Sequence, residues 1–426
     1  MASVTKFHNV LPEDAVNWRY LEHQTEEVLS LFNYQEMRLS VLQDYNQLSK
    51  GMKIAAANAE SEQVKQPLIY VQTGNPTETT INLRPEGTIN VLMQLAPDLV
   101  KHQIKRIYYQ GPMFRLDAQN QPLEFNQLGV ELLGSDSILS ENEVISLSLR
   151  ICQQLGLTDT WLDLSSFGCS SCQPAYFQAV QAFLEEHKDE FCQTCYSSLQ
   201  TNPFQTIDCK NAACRKLSAR RPLINDYLCP SCKANFERVR KIQTNLGNHY
   251  QVNHRLGKSF AYYNETVFNL MLSVDGKNVM LGGGGRYDYL SSRLIGKQIP
   301  AVGFYLNLDL IYNLMKKRDL FPAPQDHFRV YVCTQSEQME IMLLQIIQDL
   351  HEKKISTLVS SDLSDTDKET ANALHNNCQA MVIVRADNIR EGKVLLKNLV
   401  KNNQKYLSLS ELVPAVELIK KAVQQD

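Results

Sequence analysis

Leu83-Arg84-Pro85-Glu86-Gly87-Thr88, Gly111-Pro112-Met113-Phe114-Arg115 and Phe125-Asn126-Gln127-Leu128-Gly129-Val130-Glu131 carry more information than any other stretch of these 426 residues. Each sits at the end of, or within, a run with strand character. Together they bring arginine, carboxylate and amide groups to neighbouring strands, as a site for a zwitterion or a nucleotide phosphate needs. Around them, Pro67–Gln72, Thr79–Leu83, Arg106–Gln110 and Leu123–Leu133 read as strands broken by Gly and Pro, with an amphipathic stretch at Gly87–His102.

Further out, Val16, Leu21, Val28, Leu29 and Phe32 recur at helical spacing behind Pro12, which predicts an opening helix over Glu13–Phe32. Glu141–Leu155 is again helical. Strand-like sequence returns at Tyr262–Ser273 and Asn278–Leu281, followed by Gly282-Gly283-Gly284-Gly285-Arg286-Tyr287-Asp288 and a helix over Asn307–Lys317. The pattern is a mostly antiparallel sheet carrying helices. Pro322 and Pro324 mark a linker. Beyond it, Phe328–Cys333, Ile355–Ser360 and Ala380–Arg385 alternate with helical Glu337–Lys353 and Lys368–Asn376, implying a small α/β domain with a partly parallel sheet.

A single core stops growing near roughly 250–300 residues, so this length implies two or three domains. Hydrophobic content of 43%, 21% charged residues and 8% aromatics suit a globular protein. No apolar run approaches the ~20 residues of a membrane helix. The opening residues lack a secretory pattern, so the expected compartment is the cytoplasm. With 43 basic and 46 acidic residues the formal charge is −3, and any RNA contact must be local. Eight of the eleven cysteines form Cys169-x-x-Cys172, Cys192-x-x-Cys195, Cys209-x-x-x-x-Cys214 and Cys229-x-x-Cys232. Two intervening residues let both thiolates reach one ion at about 2.3 Å, so four pairs predict two structural Zn²⁺ sites. The natural assignment joins the first pair to the second and the third to the fourth, and interleaving stays open. Zinc would also supply folding energy to a short polar insertion.

In wording and order, the three opening stretches resemble the class II aminoacyl-tRNA synthetases, and within them the histidyl-tRNA synthetases. Tyr262-Tyr263-Asn264-Glu265-Thr266-Val267-Phe268 is similar to that family's histidine-specific segment, and Gly282–Asp288 to its glycine-rich partner. Asn202-Pro203-Phe204 through Asp208-Cys209-Lys210 resembles its inserted domain, and Leu11–Asp14 its start. The resemblance implies an α+β fold: a class II synthetase antiparallel sheet with flanking helices over 1–165 and 245–317, a cysteine-rich inserted domain over 166–244, a linker at 318–326, and a C-terminal α/β anticodon-binding-like domain over 327–426. It also implies that Glu86, Thr88, Gln127 and Glu131 hold the amino group and ring of histidine. Tyr263 and Tyr287, with Tyr262 beside them, would close on the imidazole. Arg115, Gln127 and Lys258 would act on the reacting groups, Arg115 at the α-phosphate.

The chain departs from that pattern where adenylate chemistry is done. Lys258 replaces an arginine and loses its bidentate fork. Asn307-Leu308-Asp309-Leu310 replaces Gly-Leu-Glu-Arg, Ser40 a proline of the dimer interface, and Asp117 a glutamate in a loop, Leu116–Glu124, that holds no Lys or Arg. Two readings follow. One is a ligase that activates histidine with ATP and Mg²⁺ and transfers it to tRNA-His as a homodimer. The other is a non-aminoacylating histidine sensor, like the synthetase-like regulatory subunit of ATP phosphoribosyltransferase.

Overall fold

The computed structural model describes residues 9–46, 48–49, 51, 68–71, 81–95, 97, 99, 103–116, 121–198, 209, 211–254, 256, 262–323, 327–334, 336–360 and 365–425. The expected residues Lys258, Asp117 and Asn202–Asp208 lie outside them. The chain divides into two compact units, 1–321 and 322–426.

The first unit is built on an eight-stranded sheet in the order Gln35–Glu36, Lys105–Leu116, Pro122–Leu133, Ala301–Asn307, Lys277–Arg286, Asn264–Val274, Trp161–Ser166, Tyr250–Val252. Its inner pairings are antiparallel and only the two edge pairings are parallel. A separate three-stranded sheet pairs Leu42–Asp44 and Tyr70–Val71 with Ile81–Leu83. Side chains alternate across a strand, and that period distributes the core. Leu128, Val130 and Leu132 enter one apolar cluster with the helices Pro12–Leu31, Ile138–Gln154 and Leu308–Lys317. Gln127, Gly129 and Glu131 fall to the other face, where Tyr109, Met113, Tyr262, Tyr263, Val267 and Tyr287 form a second cluster with Ile89 and Leu92 of the helix Thr88–Leu95.

Local chemistry sets the helix starts. Ser137 accepts from the Leu139 amide at 3.2 Å and Asn307 from the Leu310 amide at 3.0 Å, each satisfying a donor the helix cannot. Asn307, expected as the first helical residue, is therefore the cap. Two other expectations shift. Tyr262 and Tyr263 precede the strand, which begins at Asn264, and Gly282–Gly285 lie inside the strand Lys277–Arg286. A Cβ on Gly282 or Gly284 would meet the carbonyl of Tyr305 or Gly303 at 2.0 Å, so the run allows a close backbone approach.

Between Ser166 and Tyr250 the chain forms the helices Gln173–Glu186, Gln193–Ser198, Ala212–Ser218 and Pro230–Asn245 around Tyr176, Val180, Leu184, Leu217 and Ile224. The last of these returns to the main core through Phe236 and Val239. Gln243 on it donates to Asn142 at 2.7 Å.

The second unit holds a five-stranded sheet in the order Ser356–Val359, Arg329–Thr334, Ala380–Val384, Lys393–Asn398, Asn403–Ser408, with the first three strands parallel and the last two added antiparallel. The parallel part follows the alternation read from sequence. The hairpin 393–408 and the final helix Leu409–Gln425 are not marked in the sequence, since the apolar Leu399 and Val400 fall in the turn between the strands. No helix among the described residues is long and apolar enough to cross a membrane.

Candidate functional site

The second face of the large sheet carries the site, and Tyr109 organises it. Its ring lies between Gly87 and Gly129, where an added Cβ would meet the ring at 2.2 and 2.1 Å. Gly87 and Gly129 are thus explained by one aromatic side chain, while a Cβ on Gly111 would meet the Arg84 guanidinium at 2.6 Å. Arg84 ties those stretches together, donating through Nε to the Pro112 carbonyl at 2.7 Å and through Nη1 to the Leu39 carbonyl at 2.7 Å. Sequence inspection missed Tyr109; the signal was available, because in Tyr108-Tyr109 strand alternation sends one ring to each face.

Glu131 is 2% exposed and sits at the centre. It accepts from the Thr88 hydroxyl at 2.7 Å, the Tyr109 hydroxyl at 3.3 Å and the Tyr287 hydroxyl. Burial pushes its carboxyl up to about 8, against the pull of the Tyr287 and Thr88 hydroxyls. Glu86, also buried, accepts from the Ile89 amide at 3.1 and 3.2 Å, so it holds the start of the helix Thr88–Leu95 as well as facing the pocket. Burial raises its carboxyl to about 7, against the Ile89 amide and the Arg115 charge. Tyr262 stacks obliquely on Tyr263 at 4.9 Å and meets Tyr287 edge-on at 5.9 Å between centroids.

Arg115 lies beside this group. It donates to the Pro85 carbonyl at 2.6 Å and its guanidinium covers the Phe125 ring at 5.0 Å. Gln127 is buried on the Glu131 face of its strand. The structure therefore gathers Glu86, Thr88, Glu131, Tyr262, Tyr263 and Tyr287 in one cluster with Arg115 and Gln127 at its side. Two buried carboxyl groups under tyrosine rings suit a cation carried on a small polar molecule. At the position of the expected cation, Leu310 packs partly buried against the helical-face core. Its neighbour Asp309 accepts from the Asn126 amide at 2.6 Å and its side chain at 3.1 Å.

Arg286, 1% exposed, is structural rather than ligand-facing. It donates to Glu141 at 2.8 Å, Asp288 at 3.0 Å and the Ser135 carbonyl at 3.2 Å, fixing Tyr287 between two anchors. Glu265 is the second residue of the strand Asn264–Val274. Its backbone is left-handed, with φ of 49°, and burial helped by the Glu141 charge raises its carboxyl to about 7.

The eight clustered cysteines form two groups, and the expected pairing is corrected. Cys169 and Cys172 meet Cys229 and Cys232, while Cys192 and Cys195 meet Cys209 and Cys214. The pairs are nested because the helix Pro230–Asn245 begins beside the first pair: its cap residue, Cys229, donates its amide to the Cys172 sulfur at 3.2 Å. Sulfur separations of 3.6 Å for Cys169 and Cys172, 3.8 Å for Cys172 and Cys232 and 3.8 Å for Cys192 and Cys209 match the ~3.8 Å edge of a tetrahedron with bonds of about 2.3 Å. Either group can hold a metal ion.

A family model described as histidyl-tRNA synthetase matches residues 6–311. The histidine–tRNA ligase of Moorella thermoacetica is 29% identical over 415 residues, 95% of this chain and 95% of that protein. That of Halothermothrix orenii is 28% identical over 414 residues, 96% and 97% of the two chains. The apo Staphylococcus aureus (S. aureus) histidyl-tRNA synthetase superposes with a TM-score of 0.76 at 24% identity, covering 98% of this chain and 100% of that one. A Bacillus halodurans protein described as an ATP phosphoribosyltransferase regulatory subunit/histidyl-tRNA synthetase gives 0.61 at 18% identity, covering 91% and 98%. With its α+β fold, its antiparallel sheet and a family match over most of its length, this chain belongs to the histidyl-tRNA synthetase family.

Proposed function

We propose that the pocket binds histidine and that the family reaction, ATP-dependent activation of histidine and its ligation to tRNA-His, is the chemistry to which this chain is built, with adenylation impaired. The observation that carries the reading is the buried Glu86 and Glu131 pair beneath Tyr263 and Tyr287. In this reading Glu86, Thr88, Gln127 and Glu131 take the ammonium and ring, Tyr262, Tyr263 and Tyr287 close on the imidazole, Arg115 meets the α-phosphate, and Gln127 and Lys258 assist. Mg²⁺ would arrive on the ATP phosphates, since it binds through substrate oxygens more readily than in an all-protein cage. Leu310 favours a second reading, a histidine sensor regulating a partner such as ATP phosphoribosyltransferase, because leucine supplies neither charge nor phosphate contact. A cytoplasmic homodimer, a core over 1–165 and 245–317, an insertion over 166–244, a linker over 318–326 and an anticodon-binding-like domain over 327–426 complete the proposal.

Calorimetry tests the pocket. Histidine is expected to bind and phenylalanine to be rejected by about 10⁴, because it leaves buried polar groups unpaired. No heat with histidine, with or without ATP, removes both readings. An ammonium favours ionised carboxylates, so affinity should rise between pH 6 and 8 by up to about tenfold per unit for each proton displaced. Glu131→Gln should flatten that rise. Raised carboxyl values have the opposite effect on the free protein. Their contribution to stability is full below about 4.5 and is lost as pH rises through about 7 and 8.

Structural Zn²⁺ in both cysteine groups is supported by the sulfur spacing. Elemental analysis of anaerobically purified protein is expected to give close to two Zn²⁺ per chain, and metal-free folded protein would refute it.

A further inference from the structure

The first cysteine group touches the segment that carries the pocket tyrosines. Phe167 donates to the Glu265 carbonyl at 2.7 Å, and Glu265 donates to the Gly168 carbonyl at 2.9 Å. One residue on, Cys169 begins the metal knuckle. Gln173, the first residue of the helix that leaves the knuckle, donates through its side-chain amide to the Tyr263 carbonyl at 3.0 Å. Ser170, inside the knuckle, donates its amide to the Tyr289 hydroxyl at 3.2 Å, two residues beyond Tyr287. Both segments that supply pocket tyrosines are therefore gripped from residues 167–173. Cys172 in turn accepts from the Cys229 amide at 3.2 Å, so the end of the insertion braces its beginning.

The local backbone needs such bracing. Glu265 holds a left-handed conformation that a non-glycine residue keeps only when its surroundings impose it. Gly168 is left-handed too, with φ of 63°, and a Cβ there would meet the Cys172 Cβ at 2.6 Å. At the second group the arrangement differs. Cys192 donates its amide to Cys214 at 3.2 Å and Asn211 donates to Cys209 at 3.4 Å, bonds that stay inside the insertion.

We propose that the Cys169, Cys172, Cys229 and Cys232 centre is a latch on the histidine-recognition tyrosines, so that metal occupancy there, and not at the second centre, sets the affinity for histidine. Gln173 is the positioning residue that transmits it to Tyr263. The proposal rests on the reading that the pocket takes histidine and the cysteines take metal. Losing the metal removes the closure that holds residues 169–172 in a turn, and with it the anchors on Tyr263 and Glu265. The tyrosines then sample positions in which the pocket is open, and affinity falls by the fraction of time it is formed.

The test measures histidine dissociation constants by calorimetry alongside metal content, on the full chain. Cys229→Ser is expected to lose one metal and weaken histidine binding tenfold or more, whereas Cys209→Ser loses the other metal and keeps the wild-type constant. In Cys209→Ser protein, a chelator should weaken histidine binding and added Zn²⁺ restore it. Gln173→Ala should keep both metals and still weaken binding several-fold, an effect that a purely structural zinc site does not produce. Wild-type affinity in Cys229→Ser after loss of its metal overturns the latch. If that variant fails to fold, wild-type affinity in metal-replete Gln173→Ala overturns it instead. A wild-type protein that takes up no histidine refutes the pocket reading, and the latch with it.

Discussion

Leu310→Arg combined with Lys258→Arg is expected to raise histidine-dependent ATP–pyrophosphate exchange by a few hundredfold. Adenylation places charge on the α-phosphate and the reacting carboxylate, and a guanidinium answers both with parallel hydrogen bonds that an ammonium cannot copy. Each restored charge-assisted contact is worth on the order of 1.5–3 kcal/mol, and about 1.4 kcal/mol is a tenfold change in rate. Leu310 is only partly buried against the helical-face core, so an arginine there can lay its stem along the same surface and carry its head outward. The helix start survives the change, because its cap is the bond from the Leu310 amide to Asn307. Exchange in the unmodified protein at the rate of an ordinary synthetase, slowed by the double change, would show that another group does the work of the missing arginine. No gain over a slow wild type would favour the sensor.

Arg286→Ala should destabilise the first unit by about 3–5 kcal/mol, the cost of leaving buried charges without their partner. The guanidinium is 1% exposed, and Glu141 and Asp288 beside it are 5% and 13% exposed. Asp288 also accepts from the Asn264 side chain at 3.0 Å and the Ala301 amide at 2.8 Å, so the loss spreads to three strands. Against a typical total of roughly 5–15 kcal/mol, this is a large share. Denaturant midpoints check it, with Arg286→Lys falling between, since lysine restores charge but not the fork. Histidine binding should weaken in parallel, because Tyr287 stands between Arg286 and Asp288. A midpoint within 1 kcal/mol of wild type, on the scale of ordinary surface changes, would refute the assignment.

Much of this pocket was legible in one dimension. Strand alternation alone puts Gln127, Gly129 and Glu131 on one face and Leu128, Val130 and Leu132 on the other, and the cysteine spacing is that of metal ligands before any fold is known. The alternation of strands and helices after Pro322 likewise fixes a parallel core. These are short-range features, set by a repeat of two residues or by the reach of a side chain.

What needed the tertiary structure was every partnership across distance. The sequence left the grouping of the four cysteine pairs open, and only the fold, in which the helix Pro230–Asn245 starts with Cys229 beside Cys172, selects the nested one. Gly87 and Gly129 are intelligible only with the Tyr109 ring between them. Arg286 read as part of a ligand loop until its three buried acceptors came into view. Even the charge state of Glu131 is a tertiary property: its carboxyl is ordinary in the unfolded chain and rises to about 8 because the folded sheet and helices remove the water that would solvate its charge.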